Sequence, residues 1–336
     1  MEKKKNLKTA IFLTGAAARI SQEVAMLDKL IEHCGLSIKQ DKTLLAGFSS
    51  GSLNLAAING AFSNNPAFDW KTYYKEQVLF PLTNDQVYKL FPSDHKLFPL
   101  LDTSPLRATL NNFLAKMNAT IEGDLPFNSY VLTLSYRRFS TQWAHSRNCI
   151  DKNLNLSDLF MASTAIPLLF PVQTIASTKP KWLQFPGGRF ADGGTRGTFD
   201  GFEEELNQFF NENEALDDMY IISPMREKSA TEGDDLGKEI LDTVSDKFDL
   251  SKVKDFISNI SLNTFLKFLE KLQTWNATNA KIKNIYVSIP SMEKNFFILN
   301  FNKEEEQYNA VTAWVEDNKD RLAVPLQQYL SEHKSV

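Results

Sequence analysis

An α/β fold with a mainly parallel central sheet is predicted by two features: alternating strand-like and helix-like segments in the N-terminal part, and short apolar runs that return later. Thr9-Ala10-Ile11-Phe12-Leu13-Thr14 reads as a buried strand. After Gly15-Ala16-Ala17-Ala18-Arg19 comes a helix with apolar residues at Val24, Leu27 and Ile31. Thr43-Leu44-Leu45-Ala46 is a second apolar run, followed by a helix-like stretch to about Ala61. Strand, helix, strand, helix in that order requires right-handed crossovers and so parallel pairing.

Residues 64–128 read as helices and loops rich in rings: Phe68, Trp70, Tyr73, Tyr74, Phe80, Phe91 and Phe98. This segment is either a cap over a site or ordinary core packing. Strand-like runs return at 130–136 and 219–223, with Thr141-Gln142-Trp143-Ala144-His145 strand-like as well. From about 236 to 274 the chain is helical in character, with Phe256, Ile260, Phe265 and Leu269 at helical spacing, and it defines a helical insertion over 236–280. Further strands are expected at 284–289 and 296–300, then a terminal helix at 303–317. Glu304-Glu305-Glu306 at its start suits the positive end of a helix dipole. With no internal repeat and no low-complexity linker, the expectation is one domain over 1–336.

The composition narrows the class. Hydrophobic residues make up 43%, charged residues 23%, and the formal net charge is -4, which describes a globular protein without the basic footprint of a nucleic-acid binder. Two cysteines, Cys34 and Cys149, cannot build a disulfide framework, and no Cys/His cluster has metal-ligand spacing. No apolar run approaches the length of a membrane span. Glu2-Lys3-Lys4-Lys5 before Ala10 and Ala18 imitates a secretory leader. Cleavage there would remove the first strand and the loop after it, so a cytoplasmic location is expected, with secretion left open.

The most informative stretch is Gly47-Phe48-Ser49-Ser50-Gly51, between an apolar strand and a helix. A serine with glycines two before and two after it, on a strand-to-helix turn, has the layout of a nucleophile elbow. Gly47 and Gly51 leave room for the neighbouring backbone, while the following helix aims its positive end at the reacting oxygen. A serine hydroxyl also needs a base. Of His33, His95, His145 and His333, only the last lies late in the chain, and it sits near the C-terminus, so a Ser-His-Asp triad is poorly supported. Asp192, in Phe190-Ala191-Asp192-Gly193-Gly194, offers a carboxylate on a tight loop. Its reference pKa of about 3.9 makes it a weak base unless burial raises it. The small residues from Gly15 to Ala18, between strand and helix, could turn several backbone N–H groups toward an oxyanion.

These pieces, in this order, resemble the patatin-like phospholipase family, which carries a glycine-rich oxyanion loop ending in a basic residue, a Gly-x-Ser-x-Gly serine and an Asp-Gly-Gly aspartate. Met161-Ala162-Ser163-Thr164-Ala165-Ile166-Pro167-Leu168-Leu169-Phe170-Pro171 is similar to the segment preceding that aspartate, and Leu101-Asp102-Thr103-Ser104-Pro105-Leu106 to one that opens a helix. The likeness covers roughly residues 9–200. It implies a three-layer α/β/α sandwich of the patatin-like, lysophospholipase-like form. It also implies Ser49 as nucleophile, Asp192 as base, Gly15, Ala16, Ala17 and Ala18 as the oxyanion loop, and Arg19 as its basic residue. Two departures stand out. Ala16 and Ala17 occupy glycine positions and Ile20 replaces a further one, and alanine is costly wherever φ must be positive. After Gly194 the chain reads Thr195-Arg196-Gly197-Thr198 where the family often has an Asn-x-Pro-like run.

The resemblance therefore implies hydrolysis of a lipid ester, a phospholipid or lysophospholipid met at a membrane surface, with no metal or cofactor required. Two alternatives stay open. One is an acyltransferase on the same scaffold, which would want a histidine partner. The other is a non-catalytic descendant that binds lipid or protein, suggested by the alanines in the loop.

Overall fold

A computed structural model describes residues 6–62, 68–91, 99–121, 124–136, 140–145, 154–167, 169–175, 188–194, 202–224, 262–292, 296 and 298–333. His95, Phe98, Cys149, the run after Gly194 and residues 236–261 of the expected insertion lie outside them. In chain order come β1 (Thr9–Leu13), α1 (Ile20–Cys34), β2 (Thr43–Gly47), α2 (Ser50–Ala61) and a π-helical segment, Trp70–Leu79. Next are β3 (Lys89–Leu90), β4 (Leu101–Asp102), α3 (Ser104–Lys116), β5 (Asn128–Ser135), β6 (Ser140–His145), α4 (Leu156–Ser163), β7 (Gln173–Ile175) and β8 (Gly188–Asp192). The described chain closes with α5 (Phe202–Glu212), β9 (Leu216–Ile222), α6 (Leu262–Asn279), β10 (Ile282–Ser288), α7 (Glu304–Asp317), β11 (Val324–Pro325) and α8 (Leu326–His333).

The large sheet runs β11-β10-β9-β1-β2-β5-β8-β7, with β6 also paired to β5. Its centre, β10-β9-β1-β2-β5, is parallel throughout. The strands β6, β7, β8 and β11 are antiparallel additions toward the edges. Parallel strands covered on both faces should be apolar at successive positions, and β1 and β2 are. Ile11 and Leu13 pack with α1, α2, α3 and α4 on one face. Ala10, Phe12, Leu44 and Ala46 face the other side, with Phe209 of α5, Phe268 and Leu272 of α6 and Tyr329 of α8. The alternation of one strand between two cores produces the three-layer α/β/α arrangement.

β5 has a further property that positions the site. One of its edges is filled by β6, paired over residues 130–135. The other edge is shared: β2 pairs with residues 128–131, and β8 pairs antiparallel with residues 133–135. Gly47 therefore lies opposite Val131, and Asp192 opposite Thr133, two residues further along the same edge. At about 3.3 Å per residue that offset is about 7 Å, the reach of two side chains.

One expectation needs correction. No strand forms at 298–300. The carbonyls there are taken by other groups, that of Ile298 by the Ala18 N–H and that of Leu299 by the Tyr88 hydroxyl, and the chain winds instead into a short helical turn at Phe301–Lys303. The helix α8 and the short strands β3, β4, β7 and β11 were not anticipated. In the aromatic segment, Phe68 and Tyr74 are buried, both packing edge-on against Phe113 of α3, so these rings build core.

Phe12 is 1% exposed and sits between Phe48 and Phe268, at centroid distances of 5.9 and 5.7 Å. Phe12→Ala is expected to cost about 3–5 kcal/mol. Chemical denaturation checks this, and a loss under about 1 kcal/mol would contradict the two-sided burial of β1.

Candidate active site

Ser49 stands at the carboxyl ends of the central strands, where open α/β sheets bind their ligands. It follows β2 by two residues and is the N-cap of α2, with φ 52° and ψ -140°. A non-glycine residue held in such a conformation costs on the order of 1–3 kcal/mol and persists only where its surroundings impose it. Here they do. The Phe48 N–H donates to the Leu13 carbonyl at 3.2 Å, and the Ser49 N–H donates to Ser163, to its carbonyl at 3.0 Å and its Oγ at 3.2 Å. Gly51 completes the bend, since a Cβ there would lie 2.4 Å from the Leu13 carbonyl oxygen. The glycine spacing in the sequence is thus enforced by helix α2 crossing directly over the end of β1.

Asp192 ends β8, its N–H donating to the Ala165 carbonyl at 2.9 Å. The carboxylate Oδ1 accepts the Gly194 N–H at 2.7 Å, and the Ser49 side chain lies close enough to favour the charged carboxylate. Gly193 is required because a Cβ there would meet the Leu132 carbonyl oxygen at 2.4 Å. Burial pushes the Asp192 pKa up to about 7, opposed by the Gly194 hydrogen bond and the nearby Ser49 side chain. The Met161–Pro171 stretch now has a physical reading: Ser163 holds the serine turn, Ala165 holds the aspartate strand, and the Ser163 hydroxyl donates to the Leu132 carbonyl at 2.7 Å. Sequence reasoning had no signal for those bonds beyond the motif itself.

The loop from Gly15 to Arg19 lies against the serine turn: a Cβ on Gly15 would approach Gly51 N to 2.6 Å and Ser50 N to 2.8 Å. Most of its N–H groups are engaged within the protein. Gly15 donates to a Glu23 carboxylate oxygen at 2.6 Å, Ala16 to the Ser50 Oγ at 3.1 Å, Ala18 to the Ile298 carbonyl at 2.8 Å and Arg19 to the Ala16 carbonyl at 3.0 Å. The Ala17 N–H makes no such bond to a described residue. Ala16 is extended at φ -163°, whereas Gly15 and Ala17 take positive φ, 62° and 48°. Of the two alanines at glycine positions, only Ala17 bears strain. The Arg19 guanidinium donates to the carbonyls of Phe296 and Pro224, tying the loop to the exit of β9.

Glu23 was not anticipated as a site residue. It is buried on α1, where burial pushes its pKa up to about 8, opposed by hydrogen bonds from Gly15 and Asn54. Of the histidines, His33 lies beside Glu32 and Glu316 on the surface, and His333 stacks on Tyr329. The backbone of His145 pairs with Tyr130 in the β5–β6 hairpin.

Neither a protein-family model nor a curated protein matches the sequence. Among solved structures, VipD from Legionella pneumophila is similar at a TM-score of 0.35 and 9% identity, over 93% of this chain and 67% of that one. No described helix is long and apolar enough to cross a membrane.

Two predictions arise from this geometry. Ala17→Gly relieves a left-handed alanine worth about 1–2 kcal/mol and adds about 0.5–1 kcal/mol of backbone entropy cost, so stability is expected to stay level or rise. Ala16→Gly, at an extended residue, is expected to lose about 0.5–1 kcal/mol, and denaturation curves giving the reverse order would contradict the loop conformation.

The second concerns pH. Folded Glu23, Glu304 and Asp192 hold protons up to about 8, 8 and 7, against 4.5, 4.5 and 3.8 for the unconstrained groups, burial being the main cause in each. Unfolding therefore releases protons between those limits. Their contribution is complete below the unfolded pKa values and is lost as pH rises through the folded ones. Surface Glu316, held down to about 2 by Lys29 and Lys319, acts oppositely but only in acid. Melting temperature is thus expected to be higher at pH 5 than at pH 8, and a higher value at pH 8 would contradict the buried carboxyls.

Proposed function

We propose that the chain is a serine acyl hydrolase working through Ser49 and Asp192. The observation that carries this reading is a strained, buried serine beside a buried carboxylate whose pKa burial raises to about 7. A general base is most effective when its pKa lies near the working pH, and burial gives Asp192 that property. The Ser49 Oγ attacks an ester carbonyl carbon while Asp192 takes its proton, and the carbonyl π pair moves onto the oxygen. When that tetrahedral intermediate collapses, the alcohol leaves with the proton from Asp192. Water then attacks the acyl-serine, losing a proton to Asp192, which returns it to the Ser49 Oγ as the acid departs. The Ala17 N–H, with the N-terminus of α2 nearby, is the loop donor left to meet the oxyanion.

The substrate class, a phospholipid or lysophospholipid ester at a membrane surface, follows from the sequence resemblance to patatin-like phospholipases. A second reading is a lipid- or protein-binding descendant without turnover. It is favoured by one observation, the engagement of Gly15, Ala16 and Ala18 N–H groups in internal bonds.

Labelling by a fluorophosphonate probe, together with hydrolysis of a chromogenic acyl ester, separates the two. Ser49→Ala is expected to abolish both, and Asp192→Asn to lower turnover by at least about a thousandfold. Turnover should rise with pH through an apparent pKa near 7, because Asp192 must be ionised to accept the proton, leaving about a hundredth of the plateau rate at pH 5. Equal background rates in wild type and Ser49→Ala would favour the binding descendant.

A further inference from the structure

Glu23 is a carboxyl group buried in a place where a structural role alone gives it little reason to be. It is 1% exposed, on the face of α1 that packs against α2, and no described lysine or arginine is paired with it. Burying a carboxyl is expensive unless its oxygens are fully engaged. They are engaged in a directional chain. Oε1 accepts the Gly15 N–H at 2.6 Å and Oε2 accepts the Asn54 Nδ2 at 2.9 Å. Asn54 also donates to the Ile20 carbonyl at 3.0 Å, and its Oδ1 accepts the Tyr74 hydroxyl. Asn54 and Tyr74 are themselves buried, on α2 and the π-helical segment. Three elements thus converge, through Glu23, on a single peptide N–H.

That peptide is the one that presses the loop onto the serine turn. Gly15 has no room for a side chain because Gly51 N, Ser50 N and the Phe48 carbonyl oxygen lie under it. The next N–H, of Ala16, bonds the Ser50 Oγ, and the one after, of Ala17, belongs to the residue with positive φ. Holding Gly15 therefore fixes where the Ala17 N–H points. A hydrophobic residue at position 23 would pack as well and would leave the Gly15 N–H without its acceptor.

We propose that Glu23 is a positioning residue that clamps the oxyanion loop against the nucleophile turn by accepting the Gly15 N–H. This rests on the acyl-hydrolase reading above.

The test uses the whole chain in wild-type, Glu23→Met and Glu23→Gln forms. Two quantities are read: kcat and KM for a chromogenic ester, and amide hydrogen exchange at Gly15 by NMR. Methionine matches the length of glutamate, removes the acceptor and adds no buried charge, so folding is expected to survive. Glu23→Met should lower kcat by about tenfold or more with KM within about twofold, as for loss of an interaction made only in the transition state. It should also speed Gly15 exchange by about tenfold or more while the β5 amides keep their protection. Glu23→Gln retains one oxygen for Gly15 and should recover most of both. The proposal is overturned if Gly15 exchange is unchanged in Glu23→Met, or if the methionine and glutamine variants are equally impaired. A wild type without Ser49-dependent turnover would sink the hydrolase reading instead, and the Gly15 exchange would still decide whether Glu23 holds the loop.

Discussion

The candidate site depends on one constraint in the sheet: two strands of opposite direction share a single edge of β5. Because β6 fills the other edge, β2 and β8 must meet end to end, with Gly47 opposite Val131 and Asp192 opposite Thr133. The serine turn leaves one of those strands and the aspartate terminates the other. Their proximity is thus a matter of pairing register, which backbone hydrogen bonds set, and does not rely on a flexible loop finding its partner.

The remaining structure makes that close approach tolerable. Gly51 admits the Leu13 carbonyl and Gly193 admits the Leu132 carbonyl, each at distances that exclude a side chain. Ser163 and Ala165, at and just past the end of α4, accept the N–H groups of Ser49 and Asp192. One short segment therefore braces both halves of the site. Burial then supplies the electrostatics: with water excluded, the Asp192 carboxyl gains basicity that an exposed aspartate lacks.

What the sequence made legible was whatever leaves a fixed local mark. Strands β1 and β2, the elbow glycines and the Asp-Gly-Gly turn all impose spacing or composition that survives in one dimension. Strands β5 and β6 and the helix from Glu304 were likewise visible in their patterns. Glu23 was not, because a glutamate in an amphipathic helix reads as surface, and only its position before Val24 on the buried face hinted otherwise. The engagement of Gly15, Ala16 and Ala18 was hidden for a different reason: their acceptors come from Glu23, Ser50 and Ile298, and backbone donors carry no residue label. The same holds for the missing strand at 298–300, whose carbonyls are captured by the Tyr88 hydroxyl and the Ala18 N–H. The alanine at position 17 stood out in the sequence as a cost, and it is the loop residue other than glycine that adopts positive φ.

The most direct measurement is a carbon-13 NMR titration of the Asp192 carboxyl in wild type and in Ser49→Ala. A wild-type midpoint near 7 is expected, moving higher when the serine hydroxyl that stabilises the charged form is removed. A midpoint near 4 that is indifferent to Ser49 would contradict it.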